Sequence, residues 1–447
     1  MPRRSDDTIF ACATAPGRAG IAVVRISGPR AAEALGALGT AAGPARQLVR
    51  RRVRDKESGE LIDRGMVAWF PAPATGTGED AVELHLHGSP AVLSAVLAVL
   101  ARQPGFRLAE PGEFTRRAFE HGKLDLTEAE AIADLVAAET AAQRRQALRQ
   151  LAGELGALYE GWRHRLLRGL ARQEAVIDFP DEDLPSTVPD AVLAEMRALI
   201  AEISGHLADN RRGERVREGL SIAILGPPNA GKSSLLNALA RREMAITSPI
   251  PGTTRDVIEA HLDLGGYAVT VSDTAGLRES GDAIEAEGVR RARARAEQAD
   301  LRVMMVDVTR PQDADASLRK LIDRDTVVVA NKIDLGGDSG WADDLGGGPA
   351  RRLSLHTGAG LDALIEHLTR EVARRFDTAG APLITRARHR AALEDCLAAL
   401  RRSLTADLPE LAAEDLRLAT RSLGRITGRV DVEDMLDLIF REFCIGK

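Results

Sequence analysis

The sequence predicts a protein of several domains, in which an α/β domain is inserted into an α-helical domain that follows an α+β domain. At 447 residues the chain is too long for one hydrophobic core, because a domain usually holds about 100–200 residues. The sequence pattern also changes along the chain, since a helical Ala/Leu/Arg/Glu-rich spacing begins, is interrupted and then resumes. Apolar residues make up 44% and charged residues 28%, which is typical of a globular protein and excludes a disordered one.

The flanking segments predict the α+β domain and the helical domain. Segment 1–122 mixes short β-like runs with Pro/Gly turns and is predicted to be α+β; its candidate strands are 20–26, 65–70 and 81–87, and its candidate helix is 91–102. Segment 123–218 has the apolar spacing of helices and is broken by an acidic, proline-containing stretch at 178–189. The same helical spacing returns over 379–447. We therefore expect 123–218 and 379–447 to form one discontinuous helical domain.

Segment 219–378 has a different character, because nearly continuous apolar runs alternate with helical stretches. The runs are 221–225, 269–272, 301–308 and 327–330. Strands that are covered on both faces need such runs, so a parallel α/β sheet is predicted. The Gly/Asp-rich stretch 336–348 is interpreted as a surface loop.

Charge and cysteine content limit the partners and the compartment. The net charge of −6 gives no overall attraction to nucleic acid, so RNA contact would need a local basic patch. The basic stretches 163–172, 211–217 and 386–390 could supply one, or could be solvated helix faces. The three cysteines form no CxxC pair, and no segment has the apolar length of a signal peptide or a membrane helix. We expect a reducing, cytoplasmic setting without a membrane partner.

A phosphate-binding loop is predicted at 226–233, where GPPNAGKS lies between a β-like run and a helical stretch. Glycines let backbone N–H groups face phosphates, Lys232 brings a cation to them, and the Ser233 hydroxyl can ligate Mg²⁺. The expected nucleotide contacts of this segment are Asn229, Ala230, Gly231, Lys232, Ser233 and Ser234.

Two further motifs end β-like runs and make guanine the expected base. In DTAG, Asp273 can hold Mg²⁺ through water, while the backbone of 274–276 can sense a γ-phosphate. In NKID, Asp334 can accept both N1–H and N2–H of guanine, which adenine does not present together. A further stretch, SLH at 354–356, could contact the base through its backbone. The other expected nucleotide contacts of the two motifs and of this stretch are Thr274, Ala275, Gly276, Asn331, Lys332, Ser354, Leu355 and His356.

The three motifs in this order resemble the Ras-like GTPase superfamily, which implies binding of GTP and GDP and hydrolysis of GTP. Between the first two motifs, Thr254 is expected to ligate Mg²⁺ when a γ-phosphate is present. Asn229 and the carbonyl groups of 248–253 could form an oxygen cage for a monovalent cation. The GTP contacts expected in this loop are Ser248, Pro249, Ile250, Pro251, Gly252, Thr253 and Thr254.

The residue that orients the attacking water is left open by the chemistry. Ras uses a glutamine directly after its DTAG motif, whereas this chain has Leu277, which has no hydrogen-bonding group. Another residue must therefore position the water. The acidic candidates that follow are Glu279, Asp282 and Glu285.

Beyond the GTPase segment, the whole chain resembles the MnmE (TrmE) family of tRNA-modification GTPases. The resemblance is carried by DTIFA at 7–11, PGRAGI at 16–21, PGEFTRRAF at 111–119, KLDLTEAEAI at 123–132, PNAGKSSLLNAL at 228–239 and the final CIGK. It implies addition of a carboxymethylaminomethyl-type group at C5 of the wobble uridine of tRNA, with a one-carbon unit from a formyl or methylene tetrahydrofolate. It also implies a homodimer held through segment 1–122.

The resemblance further implies a partner, MnmG, which carries FAD and NADH and forms a heterotetramer with this chain. By matching positions, it implies that Arg25, Glu83, Lys123 and Lys447 contact the folate, that Glu285 orients the water, and that Asn229, Ser248, Ile250 and Thr253 hold K⁺. A pterin offers amide-like donors to a carboxylate, and its glutamate tail suits arginine or lysine. Cys444 could be a catalytic nucleophile or a bystander.

The residues alone leave other interpretations of the function open. A ribosome-assembly or regulatory GTPase of the Era type would share every nucleotide motif, and a scaffold that uses GTP only to change shape would share them too. His85 and His87 alternate on one strand face, as zinc ligands can, but no third ligand is apparent. Both are therefore expected to be hydrogen-bonded polar residues.

Overall fold

The computed structural model describes residues 7–178, 187–242, 244–246, 259–273, 299–314, 319–336, 339–376, 382–430, 433–441 and 443–446. The chain divides into two compact units, each assembled from separate segments. The first contains Met1–Ala133, Gln150–Leu199 and Asp395–Lys447, and the second contains Asp134–Arg149 and Ile200–Glu394. The domain boundaries at 122, 218 and 378 stay predictions.

The N-terminal part of the first unit is α+β, as predicted. Its sheet contains β1 Thr8–Cys12, β2 Ala19–Ser27, β3 Val49–Arg54, β4 Leu61–Phe70, β5 Ala81–Gly88 and β6 Phe106–Leu108, and its helices are α1 Glu33–Ala37, α2 Pro90–Ala101 and α3 Glu113–Glu120. The spatial order is β3-β4-β5-β2-β1-β6. Only β1 and β6 pair in parallel among these strands. We call this sheet the N-terminal sheet.

The two faces of the N-terminal sheet are covered differently. Alternating residues such as Val24 of β2 and Leu84 of β5 pack with Val96 of α2 in a buried core. The residues between them face the other way, and there Arg25 stands opposite Glu83 in the register. Phe114 of α3 packs over this second face near β1. A site on the second face therefore lies between the sheet and α3.

The next stretch is helical, as predicted. Its helices are α4 Leu126–Ala137, α5 Ala141–Leu151, α6 Glu154–Asp178, α7 Thr187–Leu207 and α8 Arg212–Glu218. Helix α6 ends at Asp178, where the sequence predicts a break. Residues 179–186 of that break lie outside the described residues.

A second six-stranded sheet, the nucleotide sheet, begins directly after α8. It contains β7 Leu220–Leu225, β8 Glu259–Leu264, β9 Tyr267–Asp273, β10 Leu301–Asp307, β11 Thr326–Asn331 and β12 Arg351–Leu353, with helices α9 Lys232–Ala240 and α10 Leu361–Phe376. Its order is β12-β11-β10-β7-β9-β8. All pairs are parallel except β8 with β9. The predicted parallel sheet is confirmed, with one antiparallel edge strand that the sequence did not predict.

The stretch 336–348 corrects one prediction. We expected a surface loop, but Gly340–Leu345 forms a short 3₁₀ helix in which Ala342 and Leu345 are buried. Both pack with Val328 and Ala330 of β11 in the core on that side of the nucleotide sheet. The Gly/Asp-rich composition of this stretch did not predict that two of its side chains belong to the core.

The helical pattern resumes after the nucleotide sheet, as predicted, in α11 Ala387–Ser403, α12 Pro409–Thr427 and α13 Glu433–Arg441. Within the first unit, α12 packs along α6, and an ion pair joins Arg417 to Glu174 at 2.8 Å. None of the helices in the described ranges combines the length and apolar character that crossing a membrane would require.

Candidate functional site

The predicted phosphate loop connects the end of β7 to the start of α9. Its backbone takes the left-handed region at Gly226, Asn229 and Gly231, with φ of 140°, 62° and 107°. A Cβ at Gly226 would lie 2.1 Å from the carbonyl oxygen of Met305 on β10, and one at Gly231 would lie 2.4 Å from Nδ2 of Asn331. Glycine is therefore required at both positions by the close approach of neighbouring strands.

Lys232 is folded back over this loop. Its Nζ donates hydrogen bonds of 2.8 Å to the carbonyl oxygens of Gly226 and Pro227, and the residue is 7% exposed. Burial lowers the pKa of Lys232, while the nearby charge of Asp273 opposes that shift. The ammonium group is thus held on the loop at the N-terminus of α9, where helix geometry favours bound anions.

Ser233 and Asp273 meet at the same edge of the nucleotide sheet. The Ser233 hydroxyl donates to Oδ2 of Asp273 at 2.5 Å, and Asp273 is 2% exposed. Asp273 ends β9, in register with Ile224 near the end of β7. A hydroxyl and a carboxylate oxygen are the hard donors that Mg²⁺ prefers, so this pair fits the predicted magnesium site.

Asn331 connects the predicted guanine motif to the phosphate loop. It ends β11, is 2% exposed and donates from Nδ2 to the carbonyl oxygen of Ala230 at 2.8 Å. Its Oδ1 accepts the N–H of Leu355 at 3.4 Å. One buried amide therefore holds the phosphate loop and the predicted base-binding stretch together.

Asp307, which ends β10, was not predicted from the sequence as a site residue. Its Oδ2 forms an ion pair of 2.7 Å with Nζ of Lys332. Burial opposes ionisation of Asp307, but hydrogen bonds from Lys332 and Thr309 outweigh it and lower the pKa. The available signal was an aspartate at the end of an apolar run, the same context as Asp273. Asp307 therefore holds the ammonium end of Lys332, which follows Asn331 in the chain.

Asp334 is oriented by Ser354. Its Oδ1 accepts a hydrogen bond from the Ser354 hydroxyl at 2.5 Å, and this bond lowers the pKa of Asp334. Nδ1 of His356 lies 3.9 Å from the other carboxylate oxygen, on a side chain that is 87% exposed. An ionised, oriented carboxylate is the group that recognition of two adjacent N–H donors requires. The structure therefore places Ser354 against Asp334 and Asn331 beside Leu355, while their contacts with guanine stay predictions.

Several predicted site residues lie outside the described residues and keep their roles as predictions. They are Ser248, Pro249, Ile250, Pro251, Gly252, Thr253 and Thr254 of the switch loop, Thr274, Ala275 and Gly276 of DTAG, the water-orienting candidates Glu279, Asp282 and Glu285, and the terminal Lys447.

A cavity of about 350 Å³ lies on the second face of the N-terminal sheet. Arg25 and Glu83 line it, with Nη2 and Oε1 3.3 Å apart, and the Arg25 guanidinium lies 5.7 Å from the centre of the Phe114 ring. Arg46, which was not predicted from the sequence, also lines the cavity. Lys123 is not among the lining residues, but its neighbour Leu124 is.

The two histidines of β5 make the polar contacts that were expected. Nε2 of His85 lies 3.4 Å from Oε2 of Glu83, and Nδ1 of His87 lies 2.8 Å from Oδ1 of Asp63. Across the described ranges, no group of three or more His, Cys, Asp or Glu side chains is arranged to hold a metal ion.

Cys444 is exposed, and its carbonyl oxygen accepts the N–H of Gly112 at 3.4 Å. The next residue, Ile445, bridges to Pro111 in an antiparallel arrangement. The C-terminal tail therefore lies beside the segment that leads from β6 to α3, within the first unit.

Comparison with known proteins identifies the family. The model of the GTP-binding protein TrmE N-terminus matches residues 8–123, and the model of the MnmE helical domain matches residues 126–444. The tRNA modification GTPase MnmE of Parvibaculum lavamentivorans is 56% identical over 448 residues, which cover 99% of this chain and 100% of that protein. The chain belongs to the MnmE family of tRNA modification GTPases. It is accordingly a GTPase that takes part in tRNA modification, and both predictions are confirmed.

One further relative and one solved structure are similar to this MnmE-family chain. A mitochondrial protein of Rattus norvegicus, named as the GTPB3 subunit of 5-taurinomethyluridine tRNA synthase, is 49% identical over 464 residues, with 98% of this chain and 93% of that protein covered. The solved structure of Aquifex aeolicus Era bound to GDP.AlF4⁻ is 25% identical, covers 42% of this chain and 69% of its own, and has a TM-score of 0.27.

Proposed function

We propose that this chain is the GTP-hydrolysing subunit of a cytoplasmic complex that adds a carboxymethylaminomethyl group to C5 of the wobble uridine of tRNA. The complex contains a homodimer of this chain, joined through segment 1–122, and the partner MnmG, which carries FAD and NADH. The observation that carries the proposal is the presence of two sites of different chemistry in one MnmE-family chain. One is the edge of the nucleotide sheet, where Ser354 orients Asp334, and the other is the Arg25–Glu83 cavity.

The edge of the nucleotide sheet supports a Mg²⁺–GTP site. Lys232 lies over the phosphate loop, from which its ammonium group would reach the phosphates, and Asp334 presents an ionised carboxylate for the guanine. Ser233 and Asp273 would hold Mg²⁺, together with Thr254 from the switch loop. Bound Mg²⁺ neutralises charge on the phosphate oxygens during phosphoryl transfer.

The cavity on the N-terminal sheet fits a tetrahydrofolate. Its volume of about 350 Å³ lies within the range of small-molecule sites. Glu83 offers acceptors for the pterin N–H donors, the Phe114 ring offers an apolar wall, and Arg25 and Arg46 suit the anionic glutamate tail. Lys123 and Lys447 would complete the set. A formyl or methylene tetrahydrofolate supplies the one-carbon unit when it is bound, and Cys444 is a candidate nucleophile on the nearby tail.

A potassium ion would assist hydrolysis beside the phosphate loop. Asn229 is exposed and has a left-handed backbone in the middle of that loop, so its side-chain oxygen is available to a cation. Ser248, Ile250 and Thr253 would supply the other oxygens, and Glu285 would orient the attacking water in place of the glutamine used by Ras.

The potassium proposal is tested by measuring GTP hydrolysis in K⁺ and in Na⁺. We expect markedly faster hydrolysis in K⁺, and we expect Asn229→Ala to remove the difference. Asn237→Ala, which alters an exposed asparagine on α9, is the matched control. Equal rates in the two salts for the wild-type protein would contradict the potassium site.

The folate proposal is tested by calorimetric titration of the full chain with 5-formyltetrahydrofolate. We expect Arg25→Gln and Glu83→Gln each to weaken binding at least about tenfold, which corresponds to the loss of one charge-assisted hydrogen bond. Arg18→Gln, at an exposed arginine outside the cavity lining, should leave binding unchanged. Wild-type affinity in both cavity variants would contradict the assignment.

A further inference from the structure

Three arginines form an exposed basic cluster at one edge of the N-terminal sheet. Arg50 and Arg52 lie on the edge strand β3, and Arg64 lies on its neighbour β4. All three are exposed, whereas Val53, on the opposite face of β3, is fully buried. Arg52 stands directly opposite Arg64 in the register, and Arg50 stands opposite Met66. We call these three residues the β3–β4 arginine cluster.

The cluster is not neutralised by the carboxylates that the structure describes, since none forms an ion pair with these three side chains within 4 Å. The nearest acid in sequence, Asp63, bonds instead to His87 and to the backbone N–H of Arg64. Glu57 of the β3–β4 turn pairs with Arg102. The cluster therefore carries uncompensated positive charge at the sheet edge.

The basic stretches predicted from the sequence behave differently, because many of their arginines are already paired. The pairs are Arg163 with Glu160, Arg165 with Glu195, Arg211 with Glu214, Arg217 and Arg386 with Asp134, and Arg390 with Asp209. Arg168 and Arg172 of α6 are exposed and make no ion pair among the described residues. They form a set of two unpaired arginines, against three in the cluster. The larger unpaired set is the β3–β4 arginine cluster.

Like charges directly opposite each other destabilise a sheet, so the facing of Arg52 and Arg64 is unfavourable in the isolated chain. Charges on an edge strand do prevent pairing with other chains, but Arg64 does not lie on the edge strand. Three guanidinium groups on one surface offer planar, bidentate donors that match phosphate groups. Arg50 and Arg52 are about 7 Å apart along the strand, since each residue advances about 3.4 Å.

The cluster lies on the same face of the sheet as the Arg25–Glu83 cavity. In the register, Arg50 faces Met66 and Met66 faces His85. His85 follows Glu83 by two positions on β5, so both side chains lie on the same face. Strand β3 lies two strands from β5, a distance of about 10 Å. A polyanion on the cluster would therefore lie on the same face as the cavity, two strands from Glu83.

We propose that the β3–β4 arginine cluster binds the phosphate backbone of the tRNA substrate and places it across the face that holds the Arg25–Glu83 cavity. The proposal rests on the proposed function, which makes tRNA the substrate. The contact is independent of base sequence, because the guanidinium groups meet phosphates rather than base edges.

The test measures binding of full-length protein to bulk tRNA from a strain that lacks the gene, across a range of KCl concentrations. The variant carries Arg50→Glu, Arg52→Glu and Arg64→Glu, and a second carries Gln at the same positions in case the reversed charges disturb folding. The matched control carries Arg144→Glu, Arg324→Glu and Arg401→Glu, three exposed arginines that are far apart in sequence. A further variant carries Arg168→Glu and Arg172→Glu.

We expect the cluster variants to bind tRNA at least about tenfold more weakly, with the slope of log K against log salt reduced by about 2. The control should bind like the wild type, and GTP hydrolysis without tRNA should be unchanged in all variants. Equal weakening in the control would overturn the proposal, since overall charge would then explain the effect. Weakening confined to the Arg168 and Arg172 variant would also overturn it.

Two other results would overturn the proposal by assigning another role to the cluster. Wild-type tRNA affinity with increased aggregation would mean that the arginines only protect a sheet edge. Wild-type tRNA affinity with a changed sedimentation coefficient would mean that the face meets a second copy of the chain.

If the deletion strain loses a tRNA modification and the cluster variants restore it fully, only this proposal fails. If the deletion leaves tRNA unchanged, the proposed function fails as well.

Discussion

Asn331 donates a hydrogen bond from Nδ2 to the carbonyl oxygen of Ala230 at 2.8 Å, and so joins the end of β11 to the phosphate loop. The two residues are fully or almost fully buried. Because the same amide accepts the N–H of Leu355, the base-binding and phosphate-binding stretches share one anchor. Recognition of the base and of the phosphates is therefore expected to fail together when this anchor is removed.

Replacing Asn331 with Ala tests that coupling. The substitution removes the partner of the buried Ala230 carbonyl, which costs about 1–3 kcal/mol, and also that of the half-buried Leu355 N–H. We expect a lower melting temperature and at least about tenfold weaker binding of a fluorescent GDP analogue. Asn237→Ala is the control. Retained affinity for the GDP analogue would show that the anchor is dispensable.

Asp334→Asn tests the choice of base. The carboxylate, held ionised by the hydrogen bond from Ser354, is expected to accept two guanine N–H groups. An amide offers one acceptor and one donor, so affinity for GTP should fall and affinity for xanthosine triphosphate, which has a carbonyl in place of the guanine amine, should rise. Competition binding with both nucleotides measures the switch. An unchanged preference for GTP would mean that another group reads the base.

The strands that carry this site could be predicted from the sequence because most are continuous apolar runs. Strand β8 was missed because its residues alternate between exposed and buried positions, as expected for an antiparallel edge strand, and β12 was missed because it has only three residues. Asp273 and Asp334 belong to motifs and were predicted. Asp307 was not predicted, because its role depends on a contact with Lys332, the residue that follows the adjacent strand β11.

Asp273→Asn tests the magnesium site. The change removes the charge that faces the Ser233 hydroxyl at 2.5 Å. We expect GTP hydrolysis to fall about 100-fold or more at physiological Mg²⁺ and to recover partly at high Mg²⁺, because metal stabilisation of the phosphates contributes several kcal/mol. Asp362→Asn, at an exposed aspartate on α10, should hydrolyse GTP normally. Full activity of Asp273→Asn would remove this residue from the metal site.

The cysteines are expected to differ sharply in reactivity. Cys396 is fully buried, and burial raises the pKa of its thiol to about 12, with a further contribution from Asp395. Cys444 is exposed. Iodoacetamide at about pH 8 should therefore alkylate Cys444 and spare Cys396 in the native protein, because the thiolate is the reactive form. Peptide mass spectrometry gives the extent at each position, and alkylation of both thiols at equal rates would contradict the burial.

The same raised pKa predicts a pH dependence of stability. The folded state keeps the Cys396 thiol protonated above the ordinary pKa of 9.0, whereas the unfolded state releases the proton. The stability that this group contributes is present below pH 9 and is lost as the pH rises towards 12. The difference in melting temperature between the wild type and Cys396→Ala should therefore shrink above pH 9. A constant difference would show that the thiol titrates normally.

The proposed function is tested most directly by the nucleoside composition of tRNA, measured by mass spectrometry. Bulk tRNA is compared between the parent strain, a deletion strain, and the deletion strain complemented with the wild type or with Lys232→Ala. We predict that the carboxymethylaminomethyl uridine is lost on deletion, restored by the wild type and not restored by Lys232→Ala, which lacks the phosphate-loop cation. An unchanged nucleoside profile in the deletion strain would contradict the central claim, and full restoration by Lys232→Ala would separate GTP hydrolysis from the modification.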